Sequence, residues 1–132
     1  MSKPEKGHKS KCFTEPVTQA RIDSFASAIG ARSREEAPPT FMTVFRQGEF
    51  QILQECEVPL SSLLHAEQTY EYRGAIRAGD DVQYETVLSN LLEKQGSAGK
   101  MQFFTFETSV RSERAGDLGI ARTLIVVRQP RG

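Results

Sequence analysis

The spacing of apolar residues changes near Leu64, and this change restricts the folds that the chain can adopt. Before Leu64, apolar side chains recur with the spacing of helices that bury one face. From Leu64 to Arg73 apolar and polar residues alternate, which is typical of a half-buried β-strand. The dipeptide Gly79-Asp80 then predicts a turn. We therefore expect the helices to come first along the chain and the sheet to follow.

The alternation divides the residues of this first strand between two faces. Ala66, Gln68 and Tyr70 would share one face, and His65 and Glu67 would lie on the other. Because Glu67 would lie beside His65, its carboxylate would orient the imidazole ring. We take His65 and Glu67 as the candidate catalytic residues. The interpretation that we prefer for His65 is structural: a half-buried histidine that is hydrogen-bonded at the boundary of the sheet or of the subunit.

Further strands follow, and turns that contain glycine separate them. Alternating apolar residues predict strands over 82–92, 101–111 and 118–128. The predicted turns contain Gly96 and Gly99 in the first case and Gly116 in the second. Short glycine turns between successive strands predict an antiparallel meander, in which each strand pairs with the next.

Two helical patterns precede the sheet. The first spans 18–29 and has one apolar stripe, which consists of Ile22, Phe25, Ala26 and Ile29. The second spans 41–56 and is so apolar that we expect it to be buried. Gly48 in its middle indicates either close approach of another group or simple tolerance of the glycine. Because helices and strands are segregated, we expect an α+β fold, with a curved antiparallel sheet wrapped around one buried central helix.

Length and charge restrict the class of protein. A chain of 132 residues predicts one domain, which we place at 13–130 behind a flexible tail at 1–12 with a solvated His8. The 17 basic and 17 acidic residues balance, which removes the electrostatic argument for nucleic-acid binding. No apolar run approaches about 20 residues and no secretory signal is visible, so we expect a cytoplasmic protein without a membrane segment. Cys12 and Cys56 are expected to be reduced thiols.

The sequence lacks the short motifs that hold common cofactors. It contains no P-loop, no Rossmann fingerprint, no nucleophile elbow and no zinc-binding pattern. The glycine turns do not follow strand-to-helix junctions, so they do not form a phosphate cradle. We therefore expect neither a cofactor nor a metal ion.

Three segments together resemble a known family. Residues 37–41 read Ala-Pro-Pro-Thr-Phe, residues 64–68 read Leu-His-Ala-Glu-Gln, and residues 78–80 read Ala-Gly-Asp. In this order they resemble the N-terminal half of MaoC-like dehydratases and the non-catalytic subunits of mycobacterial (3R)-hydroxyacyl-ACP dehydratases. The resemblance implies a hot-dog fold and pairing of two such units, with an acyl-thioester tunnel at or near their interface.

The resemblance also implies where catalytic residues would lie. Catalytic relatives carry an Asp and a His in a segment similar to Gly-Asp-x-Asn-Pro-x-His, and the matching segment here is 30–39. Ala31 stands at the position of the Asp, and no histidine occurs between His8 and His65. The dyad is therefore missing, which agrees with the pattern of the substrate-binding half. We call residues 30–39 the dyad segment.

The main hypothesis is a hot-dog subunit of a (3R)-3-hydroxyacyl-thioester dehydratase system, a hydro-lyase of fatty acid metabolism. The chain would bind the acyl part of an acyl-CoA or acyl-carrier-protein thioester, as a homodimer or as a heterodimer with a catalytic MaoC-like subunit that supplies the Asp and the His. The expected substrate contacts are Pro39, Thr40, Phe41, Phe45 and Gln68, although such phenylalanines are more often simply core.

Two alternatives remain open at this point. The first is a non-enzymatic acyl-binding or scaffold protein, which the missing dyad favours. The second is a hot-dog acyl-thioesterase, a reaction that needs a carboxylate near the central helix. Glu49 is the only acid well inside that helix, and its neighbours Gln47 and Gln51 predict that it faces solvent.

Overall fold

The computed structural model describes residues 5–58, 63–97 and 99–130. In chain order the elements are β1 (Phe13–Pro16), α1 (Gln19–Ala28), a 3-10 helix (Pro39–Val44), α2 (Gln47–Glu55), β2 (Leu63–Tyr72), β3 (Asp81–Gly96), β4 (Gly99–Ser112) and β5 (Gly116–Pro130). The strands form one five-stranded antiparallel sheet in the order β1-β3-β4-β5-β2. This curved sheet packs around α2, which confirms the predicted α+β hot-dog fold.

The predicted meander is correct only for the last three strands. β3, β4 and β5 pair in sequence, but β2 pairs with β5 instead of with β3. The connection after β2 does not form a hairpin, because its backbone hydrogen-bonds to segments far away in sequence: Arg73 N–H to Leu118 O, and Gly79 N–H to Val17 O. β2 therefore lies at one edge of the sheet, and β1 lies at the other.

The first helix agrees with its sequence signals. Thr18 caps α1, since its hydroxyl accepts a hydrogen bond from Arg21 N–H at 3.1 Å. Gly30 follows the helix with φ of +72°, the left-handed conformation that glycine adopts without a steric penalty. Ile22 and Ala26 are buried as predicted, whereas Ile29 at the end of the stripe is 49% exposed.

The second predicted helix is interrupted. The backbone of Phe45 has φ of −89° and ψ of 71°, outside the helical region, so the 3-10 helix and α2 are separate elements. Gly48 lies in the first turn of α2, where a Cβ atom would stand 2.3 Å from Thr86 Oγ1. The close approach that the sequence suggested is therefore present, and the neighbour is a side chain of β3.

The interior contains two apolar clusters. One includes Phe41, Phe45, Tyr84 and Val110, and the other includes Ile52, Leu53, Phe104, Phe106 and Ile125. Polar side chains lie on the buried sheet face as well: Thr86, Thr108 and Thr123 are all at most 2% exposed. Thr86 and Thr108 satisfy each other through a hydroxyl contact of 2.7 Å.

The N-terminal segment contacts the sheet before β1 begins. Gly7 N–H donates to Leu88 O at 2.7 Å, and Ser10 N–H donates to Thr86 O at 2.8 Å. His8 Nε2 lies 2.8 Å from Glu55 Oε1 on α2, so His8 is not simply solvated as expected. The flexibility of this segment and the domain boundary at residue 13 stay predictions.

Two further expectations concern the thiols and the membrane. Cys12 and Cys56 are free thiols, the first exposed and the second buried. Across residues 5–58, 63–97 and 99–130, the structure contains no helix that is long and apolar enough to span a membrane.

Candidate functional site

A β-bulge in β2 changes which way His65 faces. His65 pairs with Ile125 of β5, whereas Glu67 pairs with the preceding residue, Leu124, so one extra residue of β2 is accommodated between them. Thr123 and Ile125 are buried against α2, which places Leu124 on the outer face. His65 therefore lies on the inner face and Glu67 on the outer face.

The predicted neighbours His65 and Glu67 are consequently not brought together. Strict alternation gives them the same face, but the bulge adds a residue and separates them across the sheet. The hydrogen-bond partner of His65 is Gln68, whose Oε1 lies 3.1 Å from His65 Nε2. Whether His65 or Glu67 takes part in catalysis stays a prediction.

Gln68 connects His65 to the interior. Its Nε2 donates to the backbone carbonyl of Arg122 at 3.0 Å, which determines the orientation of the amide. Its Oε1 therefore faces two other groups, His65 Nε2 and Thr123 Oγ1, the latter at 2.9 Å. Gln68 is half-buried and Thr123 is 2% exposed, so this arrangement leads from the surface into the core.

Glu49 lies at the buried end of the arrangement. Thr123 Oγ1 is 3.0 Å from Glu49 Oε2, and Arg46 Nη2 is 3.4 Å from Glu49 Oε1. Burial raises the pKa of the Glu49 carboxyl, while the charge of Arg46 and the hydrogen bond from Thr123 lower it by less. The expectation that Glu49 faces solvent is wrong, because its side chain is only 3% exposed and points at the sheet.

Arg46 is poorly matched to this carboxylate. Its guanidinium stacks over the ring of Phe50 with 4.9 Å between the group and the ring centroid. The contact to Glu49 is long for a charge-assisted hydrogen bond. Its Nε atom is buried and has no hydrogen-bond partner among the described residues. We call Glu49, Thr123, Gln68 and His65 the inner polar site, with Arg46 beside it.

The predicted substrate-contact residues lie in different places. Phe41 and Phe45 are each 1% exposed and form part of the first apolar cluster, with their ring centroids 5.8 Å apart. Pro39 and Thr40 are exposed at the start of the 3-10 helix. Gln68 is the one of the five that belongs to the inner polar site. Contact of any of them with a substrate stays a prediction.

The dyad segment is exposed and lacks the expected chemistry. Ala31 follows α1 and donates its backbone N–H to Ala26 O at 2.8 Å. A concavity of about 290 Å³ lies here, lined by Ala31, Arg32, Arg34, Glu36, Ala37, Pro38 and Pro39. Its lining offers arginines and one carboxylate but no histidine. An acid–base pair of the family's type is therefore absent from this part of the described structure.

Sequence reasoning missed Arg46 and Thr123 and misplaced Glu49. A signal existed for Glu49: with Ile52, Leu53 and Cys56 it follows the i, i+3, i+4, i+7 spacing of one helix face. Thr123 alternates with the apolar residues Ala121 and Ile125, which marks it as inward-facing. A polar residue on an apolar stripe is the informative exception, since it needs a buried partner.

Comparison with known proteins agrees with this architecture. A UPF0336 protein of Thermobifida fusca (strain YX) is 26% identical over 130 residues, covering 85% of this chain and 83% of the relative. A C-terminally truncated HadBC (3R-hydroxyacyl-ACP dehydratase) complex of Mycobacterium tuberculosis includes a chain that matches with a TM-score of 0.76 and 14% identity. That match covers 92% of this chain and 96% of the other.

A second solved structure is similar over nearly the same length. The MaoC-like dehydratase from Rhodospirillum rubrum matches with a TM-score of 0.67 and 16% identity, covering 97% of this chain and 96% of that chain. These likenesses confirm the hot-dog fold, and the resemblance to MaoC-like dehydratases is confirmed with them. The model of the FAS1-like dehydratase domain region matches residues 5–117, most of the chain, and the protein therefore belongs to that family.

Proposed function

We propose that this chain is a hot-dog subunit of a (3R)-3-hydroxyacyl-thioester dehydratase system. It binds the acyl part of the thioester, and a partner hot-dog subunit supplies the Asp and the His that move protons. The observation that carries the proposal is the dyad segment, where Ala31 replaces the Asp and no histidine lines the concavity. Proton transfer in this reaction needs a positioned base and a second group for the water.

The comparisons support a role in an assembly. One similar structure is a HadBC complex, and its matched chain is covered almost completely by this one. Membership of the dehydratase-region family supports a reaction on acyl thioesters. The free edge of β2 supplies a surface on which a second subunit would add, because an edge strand presents unpaired backbone groups. A second copy of this chain is the alternative partner on the same edge.

The experiment that tests this proposal is hydration of crotonyl-CoA and of a longer trans-2-enoyl-CoA. The purified chain is assayed alone and then mixed with any catalytic MaoC-like subunit that is encoded beside it. We expect no hydration by the chain alone and hydration by the mixture above that of the partner alone. Hydration by the chain alone would contradict the proposal that a partner subunit supplies the Asp and the His. If the chain adds nothing to the partner, its role as a subunit is excluded.

A further inference from the structure

The inner polar site contains more hydrogen-bond contacts than an ionised Glu49 can satisfy. Thr123 Oγ1 contacts Glu49 Oε2 and Gln68 Oε1, but a hydroxyl group has one proton to donate. Gln68 Oε1 cannot supply the missing proton, because it is an acceptor and the amide nitrogen is committed to Arg122 O. If Glu49 were a carboxylate, one of the two Thr123 contacts would join two acceptors.

A neutral Glu49 satisfies every contact. The carboxylic acid proton is then donated to Thr123 Oγ1, and Thr123 donates its own proton to Gln68 Oε1. His65 donates from Nε2 to the same Gln68 oxygen, which has two lone pairs. Burial of Glu49 and the long contact to Arg46 agree with this assignment, since both weaken the carboxylate form.

This arrangement determines which nitrogen of His65 is available to a ligand. Nε2 carries the proton that is donated to Gln68, so the neutral ring has its lone pair on Nδ1. His65 is exposed, and its place on the inner face of β2 lies opposite Ile125 in the second apolar cluster. The site therefore presents one hydrogen-bond acceptor at the edge of the sheet, next to the second apolar cluster.

We propose that His65 Nδ1 accepts a hydrogen bond from an N–H or O–H group of the pantetheine arm of an acyl thioester, with Gln68, Thr123 and a neutral Glu49 as positioning residues. The inference rests on the proposed function for its substrate class. The thioester group and the chain of an enoyl thioester carry no donor. The 3-hydroxyl of a hydroxyacyl chain is the reacting group and belongs with the partner's Asp and His, whereas the arm carries amide N–H groups and a hydroxyl. Coenzyme A and an acyl-carrier protein share this arm, so the chemistry applies to both.

The first test measures the ring without relying on activity. Nitrogen NMR of the full chain is expected to show the Nε2–H tautomer for neutral His65, and titration with crotonyl-CoA is expected to shift the Nδ1 resonance. Gln68→Leu and Thr123→Val should each shift the ring towards a mixture of tautomers, and Thr123→Ser should restore it. An Nδ1–H tautomer, or no response of His65 to crotonyl-CoA, would overturn the inference.

The second test uses the assembled enzyme. His65→Phe in the mixture of this chain and its catalytic partner is expected to raise the KM for crotonyl-CoA about fivefold with kcat unchanged, the loss of roughly one hydrogen bond. Thr69→Ala, an exposed residue on the outer face of the same strand, is the matched control and should leave KM unchanged. A fall in kcat alone, or no change in either constant, would contradict the proposed role.

The possible results also separate this inference from the function on which it rests. If the wild-type mixture shows no hydration, the proposed function fails, and the NMR titration still decides whether His65 binds the arm. If hydration is normal and His65→Phe weakens only the association of the two subunits, measured by sedimentation, then His65 is a partner contact and the inference fails alone.

Discussion

The dyad segment and the inner polar site differ in how far their polar residues are exposed to solvent. In the dyad segment, residues 31–36 are all exposed to solvent. In the inner polar site, Glu49 and Thr123 are at most 3% exposed, and their hydrogen bonds continue to the surface at His65. Burial strongly changes the hydrogen bonding and the ionisation of a polar group, because it removes the water that would otherwise hydrogen-bond to that group. Exposure to solvent does not have this effect.

The loss of a family's catalytic residues therefore does not remove every reactive polar side chain from the interior. Ala31 has no side chain that could move a proton, whereas α2 holds a carboxyl against the sheet. The first observation supports dependence on a partner. The buried carboxyl on α2 indicates that the chain contributes a hydrogen-bonding group of its own, His65 on β2.

The largest effect should come from the partner's dyad. Substituting its Asp by Asn should lower hydration by the complex by about 100-fold or more, the usual contribution of a general acid or base. In contrast, Glu36→Gln in this chain should leave the rate unchanged, although Glu36 is the one acid that lines the concavity of the dyad segment. Rates measured with crotonyl-CoA check both. A large loss with Glu36→Gln would show that the dyad segment is catalytic.

The next largest effect is on stability and comes from substituting two glycines, Gly48 in α2 beside Glu49 and Gly30 at the start of the dyad segment. Gly48→Ala would place a Cβ 2.3 Å from Thr86 Oγ1 and should destabilise the protein by about 2–3 kcal/mol through overpacking. Gly30→Ala, just before Ala31, meets no atom within 4 Å and should cost only about 1 kcal/mol, from its positive φ. Urea unfolding measures both. Equal costs would contradict the tight contact between α2 and β3.

Thr123→Val is expected to cost about 1–2 kcal/mol. The substitution keeps the shape of the side chain but removes the hydroxyl between Glu49 and Gln68, which leaves the buried Glu49 Oε2 without its Thr123 partner. Ser33→Ala in the dyad segment is the control, since its hydroxyl bonds to Asp23 at the exposed surface and should contribute less than about 0.5 kcal/mol. The same unfolding assay compares them, and a neutral Thr123→Val would argue against the buried network.

The smallest effect is a pH dependence that belongs to Glu49. Because burial raises the pKa of Glu49 above its ordinary value of 4.5, the folded state holds the proton more tightly than the unfolded state. The contribution of Glu49 to stability is therefore full below that value and is lost as pH rises through the folded pKa. The slope is at most about 1.4 kcal/mol per pH unit.

Glu49→Gln removes this dependence, so the stability of the wild type relative to the variant should fall from pH 5 upwards. Urea unfolding of both proteins across this pH range measures the difference. A wild type that gains stability over the variant as pH rises would mean that the ion pair with Arg46 dominates, and that Glu49 is a carboxylate in the folded protein.

Local signals explain why much of the fold could be predicted. The cap at Thr18, the glycine at position 30 and the alternation along β3, β4 and β5 all depend on residues close in sequence. The pairing of β2 with β5 could not be predicted in this way, because it depends on the path of the connection after Tyr72. The α+β class was predictable from the order of elements, whereas the strand order was not.

The candidate site was less predictable for the same physical reason. The bulge before Glu67 leaves no mark in the alternation, yet it moves His65 to the inner face. The glutamine neighbours of Glu49 predict exposure to solvent, although its spacing to Ile52 and Leu53 is that of the buried face. Gln68 was identified, but its partner Thr123 lies 55 residues away and becomes visible only in the folded sheet.

Titration of the catalytic partner tests most directly whether this chain depends on the partner's dyad. A fixed amount of the catalytic partner is titrated with this chain, and hydration of a long trans-2-enoyl-CoA is followed at each ratio. We predict that the rate rises with added chain and saturates at one chain per partner, while the chain alone gives no rate. A rate that is independent of this chain, or hydration by the chain without the partner, would contradict this dependence.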